Sequence, residues 1–129
     1  SAASDVYKRQ VFEFFNDSDR LTCAAGADLT GKTFVKLAAS KNPQVPTVVP
    51  CAAGDRPFGV AGWDVKNGQK VTVYRRGVVS VTAGAALTAG KLATAGANGK
   101  AAASADNTGY GFVLADTNNG DDAAVALAL

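Results

Sequence analysis

The sequence predicts an all-β protein: a small β-barrel or β-sandwich of short strands, built from two pseudo-repeats, with at most one short helix. Three observations predict it. One motif occurs twice, each copy contains an Asn-Gly turn, and strand-like alternation follows each turn.

The repeat decides the architecture, because a recurring unit sets how many elements are shared. Ala25-Gly26-Ala27-Asp28-Leu29-Thr30 recurs as Ala83-Gly84-Ala85-Ala86-Leu87-Thr88, at an offset of 58. Phe58-Gly59 followed by Asp64, Asn67 and Gly68 recurs as Tyr110-Gly111 followed by Asp116, Asn119 and Gly120, at an offset of 52. The missing six residues fit the Pro-containing stretch Lys41 to Pro46. The expected division is a single β domain over 23–129, with copies at 25–82 and 83–129.

Asn67-Gly68 and Asn119-Gly120 are turn signals, since both residue types tolerate positive φ. Beyond the first turn, Val71, Val73, Val79 and Val81 fall on one parity and Thr72, Tyr74, Arg76, Ser80 and Thr82 on the other. That is the period of a strand with one apolar face. Val71 to Thr82 therefore reads as one long strand, or as a hairpin turning at Arg76-Gly77. Beyond the second turn, Val125, Leu127 and Leu129 share a parity and form a terminal strand. Shorter strands are expected at Thr33 to Leu37, Val45 to Val49, Phe58 to Ala61, Ala101 to Ala103 and Gly111 to Ala115, separated by Gly, Asn, Asp and Ser clusters. Ala favours helix, but Gly26, Gly84, Gly90, Gly96 and Gly99 interrupt the Ala-rich stretches. The one short helix allowed lies around Ala83 to Ala89.

The core must be built from small side chains. Hydrophobic residues are 47% of the chain, yet with 15 Val and 8 Leu there is no Ile and no Met. A length of 129 residues suits one domain. The net charge of +2 is far from the basic footprint of a nucleic-acid binder, so no nucleic-acid partner is expected. No run approaches the ~20 apolar residues of a membrane helix, so no membrane partner is expected either. Cys23 and Cys51 read as two reduced, partly buried thiols, with a single bridge between them as the alternative.

Ser1 to Gln10 is set apart from the fold. It resembles the in-frame translation of a transposase adapter used in sequencing libraries, and Asp5 to Gln10 matches GAT GTG TAT AAG AGA CAG codon by codon. The native start is then expected to be missing. Residues 11–22 are read as an arm or a first strand, with Phe12, Phe14 and Phe15 either covering the core or docking on a partner.

Chemistry-bearing residues are few. There is no His, the commonest general base and metal ligand. Ser40, Ser80 and Ser104 lack a nucleophile elbow. Asp64 and Asp116 could pair as carboxylates, but an Asp opening an Asn-Gly turn commonly bonds its own backbone. Asp116 to Asp122 is acidic enough to suggest calcium, yet it lacks the EF-hand order, and Lys66 and Lys70 occupy the corresponding stretch of the first copy. Asp64, Asn67, Gly68, Asp116, Asn119 and Gly120 are accordingly assigned to structural turns. No catalytic residue, cofactor or metal is expected.

Charge is uneven. Arg56, Lys66, Lys70, Arg75, Arg76, Lys91 and Lys100 share a span with only Asp64, and four Asp follow Lys100. Two accounts stay open: a solvated surface, or a charge-complementary contact with a partner. Under the second, Tyr74, Arg75 and Arg76 are the expected anchors, since Tyr and Arg are enriched at binding hot spots. Trp63 reads as a rim-of-core residue.

With these residues in place, the chain resembles the capsid cement, or head decoration, proteins of tailed bacteriophages. The resemblance rests on Phe14-Phe15 followed by Asp19-Arg20-Leu21-Thr22, on Leu29 to Val35, on Ala53-Gly54-Asp55-Arg56-Pro57-Phe58-Gly59-Val60-Ala61, on Gly77 to Gly84, and on the Gly-Phe-Val-Leu-Ala-Asp block from Gly111. It implies a non-enzymatic virion protein, often a homotrimer, that binds the major capsid protein on the outer face of a capsid and holds neighbouring capsomers together. The alternative is a carbohydrate-binding or adhesion β module of a fibre or cell surface. A small hydrolase using Asp64 or Asp116 ranks third.

Overall fold

A computed structural model describes residues 19–129. The chain is all-β, with ten strands and one 3-10 turn at Ala97–Gly99 among the described residues. The strands are β1 (Arg20–Ala25), β2 (Phe34–Leu37), β3 (Thr47–Pro50), β4 (Gly59–Ala61), β5 (Lys70–Tyr74), β6 (Val78–Thr82), β7 (Leu92–Ala95), β8 (Ala101–Ala103), β9 (Gly111–Val113) and β10 (Asp122–Leu127).

The first five strands close into a barrel in the order β1-β3-β2-β4-β5. The barrel is closed by the antiparallel β1/β5 ladder, which runs from Arg20 opposite Tyr74 to Ala24 opposite Lys70. Within it, β1 and β3 are parallel. The last five strands form a sheet in the order β6-β10-β9-β7-β8. Its two ends meet in a single parallel bridge between Ala83 and Ala101. The cyclic order is that of the first unit, since β6, β10, β9, β7 and β8 take the places of β1, β5, β4, β2 and β3.

Several backbone hydrogen bonds have counterparts in the two units. Leu29 and Val65 exchange backbone bonds, and so do Leu87 and Thr117. The Gly68 N–H donates to the Ala25 carbonyl as that of Gly120 does to Ala83. Leu37 pairs with Val48 in the first unit and Ala95 with Ala101 in the second, so the β2–β3 connection is five residues longer than its counterpart. The remaining residue of the length difference lies between β3 and β4.

Two sequence expectations give way here. Val71 to Thr82 is neither one strand nor a hairpin: β5 belongs to the barrel and β6 to the second sheet. The switch occurs at Gly77, whose φ of +87° turns the chain out of the strand direction. Parity is preserved across that break, which is why alternation alone hides it. Val78–Thr82 also pairs with β10, so it sits in the second unit and not at the end of the first. The fold-class expectation of at most one short helix stands, with Leu87, inside the stretch Ala83 to Ala89 where it was allowed, bridged to Thr117.

The interior has two parts. The barrel encloses Leu21, Cys23, Ala25, Leu29, Val35, Val48, Ala61, Val65, Val71 and Val73. The second cluster holds Val81, Ala83, Leu87, Ala93, Ala95, Ala101, Val113, Ala123 and Val125, together with Phe34, Cys51 and Val60 from the first unit. β2 is therefore buried on both faces, Val35 inside the barrel and Phe34 against the second unit, both fully inaccessible. The Thr82 N–H donates to the Lys32 carbonyl, the Gly54 N–H donates to that of Ala95, and Lys32 Nζ lies 2.7 Å from Asp122 Oδ2. The units are joined by core, backbone and surface contacts together.

Candidate functional site

The two Asn-Gly turns are alike. Gly68 and Gly120 have φ of +90° and +91°, and each turn is closed by a backbone bond, Gln69 to Lys66 and Asp121 to Asn118. Asp64 and Asp116 do not bond their own turns, contrary to the sequence expectation. Asp64 Oδ1 accepts from the Gly31 N–H at 2.8 Å and Asp116 Oδ1 from the Ala89 N–H at 2.9 Å. The reason is the bridge beside each turn, which lays the Leu29 or Leu87 segment across it. Asp28 extends this network in the first unit, accepting from the Asn67 N–H at 2.9 Å. That bond, with the nearby Lys66 ammonium, holds the Asp28 carboxyl below its usual range. Ala86 stands at the corresponding place in the second unit and has nothing to offer.

Two further acids are held as well. Asp122 is paired with Lys32, and Asp106 accepts from the Thr108 and Ser104 hydroxyls, which lower its pKa. Among the described residues no three His, Cys, Asp or Glu side chains come together to hold a metal ion. Cys23 and Cys51 are free and buried, one in each core cluster. Burial pushes both thiols up to about 11, and Asp55 adds to the effect at Cys51. Thiols held protonated are poor nucleophiles and poor ligands at neutral pH.

The segment between β5 and β6 is built differently. Arg75 is pinned: its N–H donates to the Asp19 carbonyl at 2.7 Å, its Nε donates to the Phe58 carbonyl at 2.9 Å, and its guanidinium sits 4.2 Å from the Phe58 ring centroid. A cation over an aromatic face is attracted by the ring quadrupole. The Arg76 side chain is 74% exposed, with its guanidinium 3.6 Å from Asp19. Tyr74 lies half-buried on β5, in register between Arg20 and Val60. The structure thus places Arg75 and Arg76 on one border, while the Tyr74 ring lies beside Gly62. Phe12, Phe14 and Phe15, like the whole of 1–18, lie outside the described residues.

Arg75 also borders two adjoining grooves. One, of about 440 Å³, is lined by Lys36, Leu37, Arg56, Pro57, Phe58, Arg75 and Leu129. The other, of about 450 Å³, runs past Arg76 and Gly77 to Leu127, Ala128 and Leu129. The Lys36 ammonium is anchored 2.6 Å from Asp55, whose carboxylate also accepts from the Ala52 N–H. This pairing lowers the Asp55 pKa and raises that of Lys36. The surface is thus cationic, with Leu37 half exposed beside the Phe58 ring. Such a surface suits an acidic protein segment carrying apolar side chains.

Sequence reasoning missed Lys36, Leu37, Pro57, Phe58 and Leu129 as neighbours of Arg75. The Arg56-Pro57-Phe58 run was a visible signal, but only the fold brings it to the C-terminal residues. Trp63, expected at the rim of the core, is 49% exposed.

No curated protein matches the chain. Among solved structures, the N base of the head fiber protein gp8.5 of bacteriophage phi29 is similar in fold, with a TM-score of 0.70 and 22% identity over 84% of this chain and 92% of that one. A family model described as phage cement protein matches residues 15–129. With nearly the whole chain matched, this all-β protein belongs to the phage cement protein family.

Proposed function

We propose that the chain is a structural virion protein that binds the outer face of a phage capsid through the major capsid protein and stabilises contacts between capsomers, without catalysis and as a homotrimer. The observation that carries this reading is the family match over 15–129. The groove around Arg75 supports it, because it joins cations to exposed apolar surface on a scaffold fixed by two β units. A cement protein needs a rigid body and several modest contacts whose avidity exceeds that of any one.

The contact set is Tyr74, Arg75 and Arg76 with Arg56 and Lys36, assisted by Phe12, Phe14 and Phe15. Binding of the purified protein to expanded, undecorated capsids tests it. Saturable binding is expected, with the double variant Arg56→Glu/Arg76→Glu weakening it by at least about tenfold, as charge reversal at a complementary contact does. Absence of binding by the wild-type protein overturns the reading. The exposure of Trp63 favours a second reading, a carbohydrate-binding or adhesion module of a fibre, in which the indole is a stacking platform. Glycan binding that disappears in Trp63→Ala would promote it over the first.

A further inference from the structure

The stretch from Val11 to Ser18 holds three of the six Phe of the chain, the carboxylates of Glu13 and Asp17, and no base. The barrel has no room for it within its own architecture. The β1/β5 ladder closes the barrel, so no strand edge is open there, and the interior is already occupied by side chains from Leu21 to Val73.

The stretch joins the barrel at the border of the two grooves. The Asp19 carbonyl accepts from the Arg75 N–H at 2.7 Å, and the Asp19 carboxylate lies 3.6 Å from the Arg76 guanidinium. Arg75 borders both grooves. Eight residues in extended form reach about 26 Å, at ~3.3 Å per residue, and Phe15 is only four residues from Asp19. Charge matches as well. Lys36 is paired with Asp55 and Arg76 with Asp19, whereas the guanidinium groups of Arg56 and Arg75 form no ion pair with a carboxylate among the described residues. Two acids of the stretch thus stand against two cations left over. The apolar part of the grooves, with Leu37 52% exposed beside the Phe58 ring, suits Phe side chains.

We propose that residues 11–18 fold back into the grooves around Arg75 of the same chain, with Glu13 and Asp17 towards Arg56 and Arg75 and the Phe side chains against Leu37 and Phe58. The free protein then occupies its own binding surface with its own arm. Tethering through a short linker supplies an effective concentration on the order of millimolar, so a contact too weak to hold a separate peptide still closes. Under the capsid reading, on which this one step rests, an acidic segment of the shell displaces the arm and frees Phe12, Phe14 and Phe15 for contacts of their own. The contact within the chain stands without that reading.

Chymotrypsin, which cuts after Phe, tests the contact on the full chain without capsids. Each rate of cleavage after Phe12, Phe14 and Phe15 is divided by that of a free peptide of the same sequence over 8–20. Because cleavage tracks the open fraction, the wild-type ratio is expected at or below about one tenth. Arg56→Glu/Arg76→Glu, which leaves the pinned Arg75 in place, should raise the ratio at least about fivefold, and so should Glu13→Lys/Asp17→Lys, since like charges then face each other. All four changes together restore opposite charges and should regain most of the protection, a recovery that an unfolded variant cannot show. A wild-type ratio near one overturns the proposal. So does protection that neither reversal alters, or a fourfold variant that keeps its strands by circular dichroism without recovering. Protection that fades on dilution marks an arm held by another copy, and release by Phe112→Asp alone puts the arm on the second unit; either result also overturns it. A protected arm in a protein that ignores capsids sinks only the capsid reading; capsid decoration with a wild-type ratio near one sinks only this one.

Discussion

The first unit fills its barrel with its own side chains, whereas the second borrows. Val35, Val48 and Val71 of the first have Ala93, Ala101 and Ala123 at the corresponding places in the second. Three valines reduced to alanines leave space, and Phe34, Cys51 and Val60 of the first unit occupy it. The same strand order thus supports two packing solutions, one closed and one completed from outside. What the difference teaches is that the units are alike in backbone and not interchangeable in volume.

The largest way to break this comparison is Phe34→Ala. It removes the main plug of the second cluster and should cost about 3–5 kcal/mol, the range for losing a buried Phe, read as a lower midpoint in urea denaturation. Leu92→Ala, at the corresponding but only partly buried position, should cost less, under about 2 kcal/mol, since a partly exposed side chain loses less burial. Equal effects would show that the units are packed alike. A smaller test fills the second unit. Ala123→Val, which copies the first unit's Val71, should destabilise by about 1–3 kcal/mol through overpacking, and combining it with Phe34→Leu should recover part of that loss.

The smallest effect is the response to pH. Asp55, Asp28 and Asp106 have folded pKa values below the ordinary 3.8, so their contribution is present above about pH 4 and is lost as pH falls through the folded values. Two of the three belong to the first unit. Asp55→Asn should flatten the acid limb of a stability-against-pH curve. On the alkaline side the thiols are raised from 9.0 to about 11, so their contribution is complete below pH 9 and is lost as pH rises towards 11. Cys23→Val, which copies Val81, should flatten the alkaline limb while leaving the acid limb in place.

Much of the fold was legible because turns and alternation are local. The Asn-Gly pairs, Ala101–Ala103 and the stretch after Asn119 could be read residue by residue. β7 was missed because Leu92-Ala93-Thr94-Ala95 lies in an Ala- and Gly-rich stretch whose strand character comes from pairing with β8 and β9. β1 was only partly anticipated, the arm-or-first-strand reading of 11–22 stopping at Thr22, because Cys23 to Ala25 gains its strand character only opposite β5 and β3. The break at Gly77 was hidden by unbroken parity. Of the candidate site, Tyr74, Arg75 and Arg76 were visible in sequence as a cluster. Their partners were not, since Phe58 beneath Arg75 and Leu129 across the groove are separated from it by the whole topology.

The sharing of Phe34 also gives the molecule a direction in time. Every buried residue of the barrel cluster precedes Arg75, so that unit can complete its core when only the first part of the chain has been made. The second cluster depends on Phe34, Cys51 and Val60, all synthesised earlier. Because chains emerge from the ribosome N-terminus first, the residues of the barrel are available to pair before β6 to β10 have emerged. The barrel's interior takes no residue from the later unit, while the later unit's interior takes three from the barrel.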